Sequence, residues 1–228
     1  MSQSGSAASG LGLPPDRLDG FPGASLKGNW HRLSDYQNPW FFSTALSTTS
    51  IGGGRFDLLS PNGTCYWADG LMGAVGEKLL RVPLRAVTEE QLLTLWHHRV
   101  ALDGPADIAD LMATAVRRFG FNAEIHTSLD YSKPRAWAIA LHTAGWRGLR
   151  YALRSDGALR NRGLAIFGNA GVAHRAPRGF PGATHSRLDT TAATAVLSRL
   201  GVAVLPIPTS VPIRPVRAPR RCATPRQR

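Results

Sequence analysis

The chain has 228 residues, enough for one large domain, because a single hydrophobic core stops growing at roughly 250 to 300 residues. Hydrophobic residues make up 43% and charged residues 18%, which excludes a wholly disordered chain, and no apolar run reaches the roughly 18 residues that a membrane span needs. Cys65 and Cys222 lie far apart, which excludes a disulfide scaffold. Because the first residues also lack a signal-peptide pattern, we expect a cytoplasmic protein.

The formal net charge of +12 is concentrated at one end of the chain. Residues 206–228 contain six arginines and no acid, whereas the rest is only mildly basic. Sequence-independent nucleic-acid binding normally needs basic residues spread over a folded face or along a helix. A nucleic-acid partner is therefore weakly indicated, and only through this tail.

Composition divides the chain into three segments. Residues 1–26 are rich in Ser, Gly and Pro, and residues 208–228 combine Pro with Arg, so both are predicted to be disordered tails. Residues 27–207 are predicted to form a single folded domain, in which residues 172–187 form a long loop.

The elements predicted within this domain mix helices and strands. Strands are predicted at 29–33, 63–68, 148–153, 163–168 and 202–207, because each is a short run bounded by Gly, Asn or Pro. Helices are predicted after Asp69 as N-cap, over 92–100 behind the capping box of Thr88 and Gln91, over 106–119 behind Gly104 and Pro105, from Ser132 to near Gly145, and over 190–200. Because this order lacks regular β-α-β alternation, it favours an α+β fold.

Several common catalytic motifs are absent from the sequence. It contains no phosphate-binding loop, no dinucleotide-binding glycine fingerprint, no nucleophile elbow and no His-Glu-x-x-His zinc motif. His97 and His98 are adjacent, and neighbouring residues on a helix point about 100° apart, so they are predicted to be surface or edge residues and not metal ligands. No metal site is predicted.

The residues with a chemical signal lie between positions 29 and 80. Arg32 lies on the first predicted strand, Arg55 follows three glycines, and Glu77 lies on an apolar helix. Gly73 and Ala74, one turn before Glu77, are small, so another group can approach the carboxylate. The alternative interpretation is that Glu77 and the arginines form an ion-pair network of structural value only.

In chain order, Arg32, GGGRFD (52–57), GTCYWA (63–68), the helix with Glu77, GLRYALRSDG (148–157) and GLAIFG (163–168) resemble the RES domain. The resemblance spans about residues 29–170. Members of this family include NAD-degrading toxins of bacterial toxin–antitoxin systems. The resemblance therefore implies a compact α+β domain related to ADP-ribosyltransferase toxins, a pocket for NAD⁺, and a helix-turn-helix antitoxin as partner.

The resemblance also implies roles for individual residues. Glu77 and Arg32 correspond to the catalytic acid and a basic position, and Arg32, Arg55 and Tyr66 are expected to bind NAD⁺. The family's serine would fall at Leu153 in this chain.

The nearest hydroxyl to that position is Ser155. It would keep the same face if the strand extended that far, since alternate residues of a strand share a face. In that case Ser155 is expected to replace the family's serine in binding NAD⁺; otherwise this chain has lost one hydrogen bond to its ligand.

The chemistry of NAD⁺ cleavage agrees with these roles. Breaking the nicotinamide–ribose bond passes through an oxocarbenium-like state that a fixed carboxylate such as Glu77 stabilises. The pyrophosphate suits the planar, bidentate donors of Arg32 and Arg55. Tyr66 either stacks on nicotinamide or packs in the core.

The predicted function is cleavage of NAD⁺, either by phosphorolysis with inorganic phosphate as co-substrate or by hydrolysis, as the toxin of a toxin–antitoxin pair. Two alternatives stay open. One is ADP-ribosylation of a protein, and the other is a non-enzymatic interaction or nucleic-acid-binding protein with a decayed pocket.

Overall fold

The computed structural model describes residues 10–80, 85–155 and 157–207. In this part of the chain the strands are β1 Gly23–Ser34, β2 Phe41–Phe42, β3 Thr44–Ala45, β4 Leu58–Leu59, β5 Asn62–Ala68, β6 Ala86–Thr88, β7 Trp96–Asp110, β8 Gly148–Ala152, β9 Arg162–Asn169, β10 Gly171–Val172, β11 Thr184–Arg187 and β12 Ala203–Leu205. The α-helices are α1 Leu71–Leu79, α2 Glu89–Leu93, α3 Glu124–Thr127, α4 Ser132–Thr143 and α5 Thr190–Arg199, and a 3₁₀ helix spans Thr114–Phe119.

The main sheet has six strands in the order β1, β5, β9, β8, β7, β11. Because β1 also pairs with β7, the first five strands form a closed ring, and β11 extends the sheet outside it. The β7–β8 pair is parallel and the other pairs in this sheet are antiparallel. The α+β class predicted from the sequence is confirmed.

Strand β5 is buried on both faces, since Gly63 through Ala68 are all inaccessible. Tyr66 and Ala68 pack into one core with helices α1 and α4, and Cys65 and Trp67 pack into a second core with Trp30. This alternation is the two-residue period of a strand. The strand therefore leads directly from the centre of the molecule into α1.

Helix α1 begins without the predicted cap. Its N-cap is Gly70, which makes no side-chain cap hydrogen bond, whereas the Asp69 carboxylate pairs with Arg162 at 2.7 Å. The assignment of Asp69 as N-cap was wrong, because a strand-to-strand ion pair engages its carboxylate. The capping box of Thr88 and Gln91 is confirmed, but the helix behind it ends at Leu93.

Residues 96–110 form the 15-residue strand β7, where the sequence pattern predicted parts of two helices. Side chains alternate along it: His98, Val100 and Leu102 are buried, and Arg99, Ala101 and Asp103 are exposed. Antiparallel pairing with β1 over almost its whole length decides the conformation, because tertiary pairing overrides weak local propensity. Of the predicted 106–119 helix, the 3₁₀ turn remains.

His98 is fully buried, so its assignment as a surface residue was wrong. Its Nε2 lies 2.9 Å from the Ser34 Oγ on the neighbouring strand. Burial, and next the positive charge of Arg32, lower the pKa of His98 to about 4. The ring is therefore neutral at physiological pH.

Residues 10–26, predicted as part of a disordered tail, belong to the fold. Leu11 and Phe21 are 1% and 5% exposed, and the Trp137 indole donates a 2.9 Å hydrogen bond to the Gly12 carbonyl. The segment was predicted to be disordered from its average composition, which does not reflect that these two apolar side chains pack in the core. Residues 1–9 and 208–228, also predicted to be tails, lie outside the described residues.

The predicted loop over 172–187 is partly ordered as strand β11, whose Thr184–Arg187 pair with β7. No helix among the described residues is long and apolar enough to cross a membrane.

Candidate functional site

Two adjoining cavities open between α1, β5, β8 and the segment that precedes β4. They share Gly53, Gly54, Tyr66 and Glu77 in their walls. The first has a volume of about 200 Å³ and the second about 30 Å³. The residues predicted to form the site all line one cavity or both: Arg32, Arg55, Tyr66, Glu77 and Ser155.

The Glu77 carboxylate lies at the junction of the cavities, near the C-terminal end of α1. Its Oε2 accepts a 3.0 Å hydrogen bond from the Tyr151 hydroxyl on β8. Tyr151 is 2% exposed and its ring packs edge-on against Phe56, so this donor has a fixed position. Tyr151 thus approaches Glu77 closely, as expected, but from β8 and not through the space beside Gly73.

Glycines in α1 let neighbouring segments approach the helix closely. A Cβ on Gly76 would lie 2.3 Å from the Ser155 Oγ, and one on Gly73 would lie 2.6 Å from a methyl carbon of Leu153. Both distances are far below van der Waals contact, so any larger side chain would force the 153–155 segment away. Core side chains fill the space beside Gly73, so this space is not an opening toward Glu77.

Tyr66 is both a core residue and a cavity wall. Its hydroxyl donates to Asp57 Oδ1 at 2.8 Å and accepts from the Phe56 amide at 2.9 Å. Burial, reinforced by the Asp57 charge, raises the pKa of Tyr66 well above its ordinary value, so the phenol stays protonated. Asp57 also accepts from Ser43 Oγ at 2.9 Å and the Gly54 amide at 2.6 Å.

Arg32 on β1 borders the first cavity. It donates to the carbonyls of Tyr66 at 3.0 Å and Phe41 at 3.3 Å, which fix the guanidinium against the cavity wall. Its buried Nε has no acceptor among the described residues. Because this Nε has almost no accessible surface, an anion in the cavity would meet Arg32 by its charge and its terminal nitrogens and not by this atom.

Arg55 borders the second cavity and is 8% exposed. Its Nε is likewise buried without an acceptor among the described residues, and its guanidinium lies 5.7 Å from the centre of the Tyr131 ring. Arg32 and Arg55 thus line the two cavities that share Glu77.

Ser155 lines the second cavity, as expected, but it does not lie on an extension of the strand, as the prediction assumed. Strand β8 ends at Ala152, so Ser155 lies in a turn and the argument from a shared strand face was wrong. Leu153 is fully buried against Gly73 and Gly163 and lines neither cavity. The position where the family's serine was expected therefore belongs to the core in this chain.

His31 lies on the rim of the first cavity, with its Nδ1 2.9 Å from Nε2 of His97 on β7. Burial, followed by the charge of His31, lowers the pKa of His97 to about 4, so the His97 ring is neutral. Burial, followed by the charge of Arg99, also lowers the pKa of His31. Among the described residues, no group of three or more His, Cys, Asp or Glu side chains could hold a metal ion.

Sequence reasoning missed Asp57, Tyr131, Arg135 and Tyr151. Tyr151 was within a predicted strand, and its period-two position toward the core was a usable signal. Arg135 had none, since its sequence position is that of an ordinary residue in the first turn of a helix.

The RES domain family model matches residues 29–191, and the chain belongs to this family. No match was found among curated proteins. A chain from the crystal structure of the M. tuberculosis MbcT–MbcA toxin–antitoxin complex has a similar fold, with a TM-score of 0.50 and 16% sequence identity. The superposition covers 76% of this chain and 91% of that chain.

Proposed function

We propose that this protein cleaves the nicotinamide–ribose bond of NAD⁺. The observation that carries the proposal is the Glu77 carboxylate on the shared wall of two joined cavities, one lined by Arg32 and the other by Arg55. Membership of the RES family supports it, because NAD-degrading toxins belong to that family.

Glu77 would face the ribose. As the bond between the ribose anomeric carbon and the nicotinamide nitrogen breaks, its electron pair leaves with nicotinamide and positive charge develops on the ribose. A carboxylate held by the Tyr151 hydroxyl stabilises that charge without having to reorganise.

Arg32 and Arg55 would bind the pyrophosphate. Guanidinium groups offer planar pairs of donors that match phosphate oxygens, and both are already held in place by the protein. The cavities are smaller than the roughly 300 to 1,000 Å³ typical of ligand sites, so the adenosine half would extend outside them.

The anomeric carbon then forms a bond to an oxygen of inorganic phosphate or of water. Phosphorolysis gives ADP-ribose-1″-phosphate, and hydrolysis gives free ADP-ribose and releases a proton. Arg55 and Ser155 are suited to orient a phosphate co-substrate by charge and hydrogen bonding, provided that the second cavity, of about 30 Å³, widens to admit it.

In the cell, we propose that the protein acts as a cytoplasmic toxin restrained by an antitoxin, with a helix-turn-helix protein as the expected partner. The fold shared with a chain of the MbcT–MbcA toxin–antitoxin complex supports this role.

The test is to incubate the purified chain with NAD⁺, with and without inorganic phosphate, and to identify the products by chromatography. Nicotinamide with ADP-ribose-1″-phosphate supports phosphorolysis, and nicotinamide with ADP-ribose supports hydrolysis. ADP-ribose attached to an added protein would indicate transfer instead. No loss of NAD⁺ under any condition would refute the proposal.

A further inference from the structure

Arg135, in the first turn of α4, is fully buried and points its guanidinium into the loop of residues 47–54, called here the glycine loop. Its donors all reach acceptors in that loop: the carbonyls of Ser47 at 3.4 Å, Thr48 at 3.3 Å, Ser50 at 2.6 Å, Gly52 and Gly54 at 3.3 Å, and the Ser50 hydroxyl at 3.1 Å. One side chain thus faces five backbone carbonyls of eight consecutive residues. Nη1 has two hydrogens for four of these acceptors, so its shortest bond, to the Ser50 carbonyl, is the main one and the longer contacts share the other hydrogen.

The glycine loop has little that would otherwise fix its shape. Gly52 and Gly53 have φ angles of +84° and +72°, and consecutive glycines lose more conformational entropy on ordering than other residues. The Ile51 side chain is fully exposed and packs against nothing. A turn in which the Ser50 amide and hydroxyl donate to the Ser47 carbonyl orders the first half of the loop. The second half is held by Arg135 on one side and by Asp57, which accepts from the Gly54 amide, on the other.

The same loop forms a wall of the candidate site. Gly53 and Gly54 line both cavities, and a Cβ on Gly54 would lie 2.3 Å from the Tyr66 hydroxyl oxygen. The loop backbone therefore lies directly against Tyr66, which lines both cavities together with Glu77. Any relaxation of the loop changes the shape of the space in which a ligand would sit.

Arg135 forms no salt bridge with a carboxylate among the described residues. Burying an arginine without a paired acid is costly unless its hydrogen bonds are satisfied, and here carbonyl dipoles satisfy them. Arg135 also lies 5.6 Å from the centre of the Tyr131 ring, which Arg55 approaches at 5.7 Å. It thus contacts the aromatic neighbour of a proposed phosphate-binding arginine.

We propose that Arg135 is a positioning residue that holds the glycine loop in the shape that binds NAD⁺, and that it sets substrate affinity more than the rate of bond cleavage. This inference rests on the proposed function. The split follows from the geometry, because the Glu77–Tyr151 hydrogen bond joins α1 to β8 and involves neither the loop nor α4.

The test compares Arg135→Met, Arg135→Lys and the matched control Arg199→Met, an exposed arginine on α5. KM and kcat for NAD⁺ are measured below the melting temperature of each variant. We expect Arg135→Met to raise KM about tenfold or more with kcat nearly unchanged, which corresponds to about 1.4 kcal/mol of lost binding. Lysine should restore part of the affinity, because one ammonium group reaches fewer carbonyls, and the control should behave as wild type.

Amide hydrogen exchange provides a readout independent of activity. In Arg135→Met, residues 47–54 should exchange faster while α1 keeps wild-type protection. Faster exchange over the whole chain, or a fall in kcat at unchanged KM, would overturn the proposal in favour of a merely structural role.

A chain that fails to degrade NAD⁺ at all would refute the proposed function, and the exchange data would still test the loop-holding role. If Arg135→Met does not fold, Arg135→Lys serves as the test variant, because it keeps the positive charge and reaches fewer of the carbonyls. It should raise KM in the same direction by a smaller factor, and an unchanged KM would count against the proposal.

Discussion

Replacing Glu77 by glutamine removes a negative charge from the site and keeps the shape of the side chain. A unit charge about 4 Å from the developing charge on the ribose is worth about 4 kcal/mol at the effective dielectric of a protein surface. Glu77 is partly exposed, so part of this is screened by solvent. We therefore expect turnover of NAD⁺ to fall by a factor of about a hundred or more, or at least about 2.7 kcal/mol in the barrier.

The fold should survive this change. The glutamine amide oxygen still accepts the hydrogen bond from Tyr151, so the melting temperature of Glu77→Gln should stay close to wild type. The assay is nicotinamide release under single-turnover conditions, with Glu90→Gln as a control at an exposed acid on α2. Near-wild-type turnover in Glu77→Gln would refute the catalytic assignment. A large fall in melting temperature would support the alternative that Glu77 serves a structural charge network.

Three further predictions follow from burial and composition. Leu153→Ser should lower the free energy of unfolding, measured by urea titration, by about 3 kcal/mol or more, because it opens a cavity beside Gly73 and buries a hydroxyl. It should not improve NAD⁺ turnover. An unchanged stability would contradict the assignment of Leu153 to the core. Burial, and next the charge of Arg55, lower the pKa of His126 from 6.5 to about 4, so the unfolded chain binds more protons between these values. Melting temperature should accordingly hold above about pH 6.5 and fall as the pH approaches 4, and His126→Gln should flatten that fall. Removing residues 208–228 should leave turnover and melting temperature almost unchanged and abolish any salt-sensitive nucleic-acid binding, whereas a destabilised truncation would show that the tail docks on the domain.

The chemical content of the candidate site was largely readable from the sequence. Arg32, Arg55, Tyr66 and Glu77 come together because β5 leads directly into α1, and because β1 pairs with β5 at His31 and Ala68. Strand periodicity and turn residues predict such local units well, since their signals lie within a few residues.

Long-range packing decided the rest. Local patterns favoured helices over 92–100 and 106–119, and only pairing with β1 made residues 96–110 one strand. Pairing of this kind depends on residues about 70 positions away, which no local periodicity contains. The same limit applied to Leu11 and Phe21, whose burial depends on partners in distant parts of the chain.

The sequence by itself determined which acid and which arginines belong to the candidate site, because those residue types stand in a short order that resembles the RES domain. Only the tertiary structure decided how they are held. Tyr151 reaches Glu77 across 74 residues of chain, and Arg135 reaches the glycine loop across 81 to 88. Strand β8 ends at Ala152, and the turn that follows packs against Gly76. Ser155 therefore borders the site, whereas Leu153 lies in the core. Side-chain volume in three dimensions sets this contact, and spacing along the chain does not.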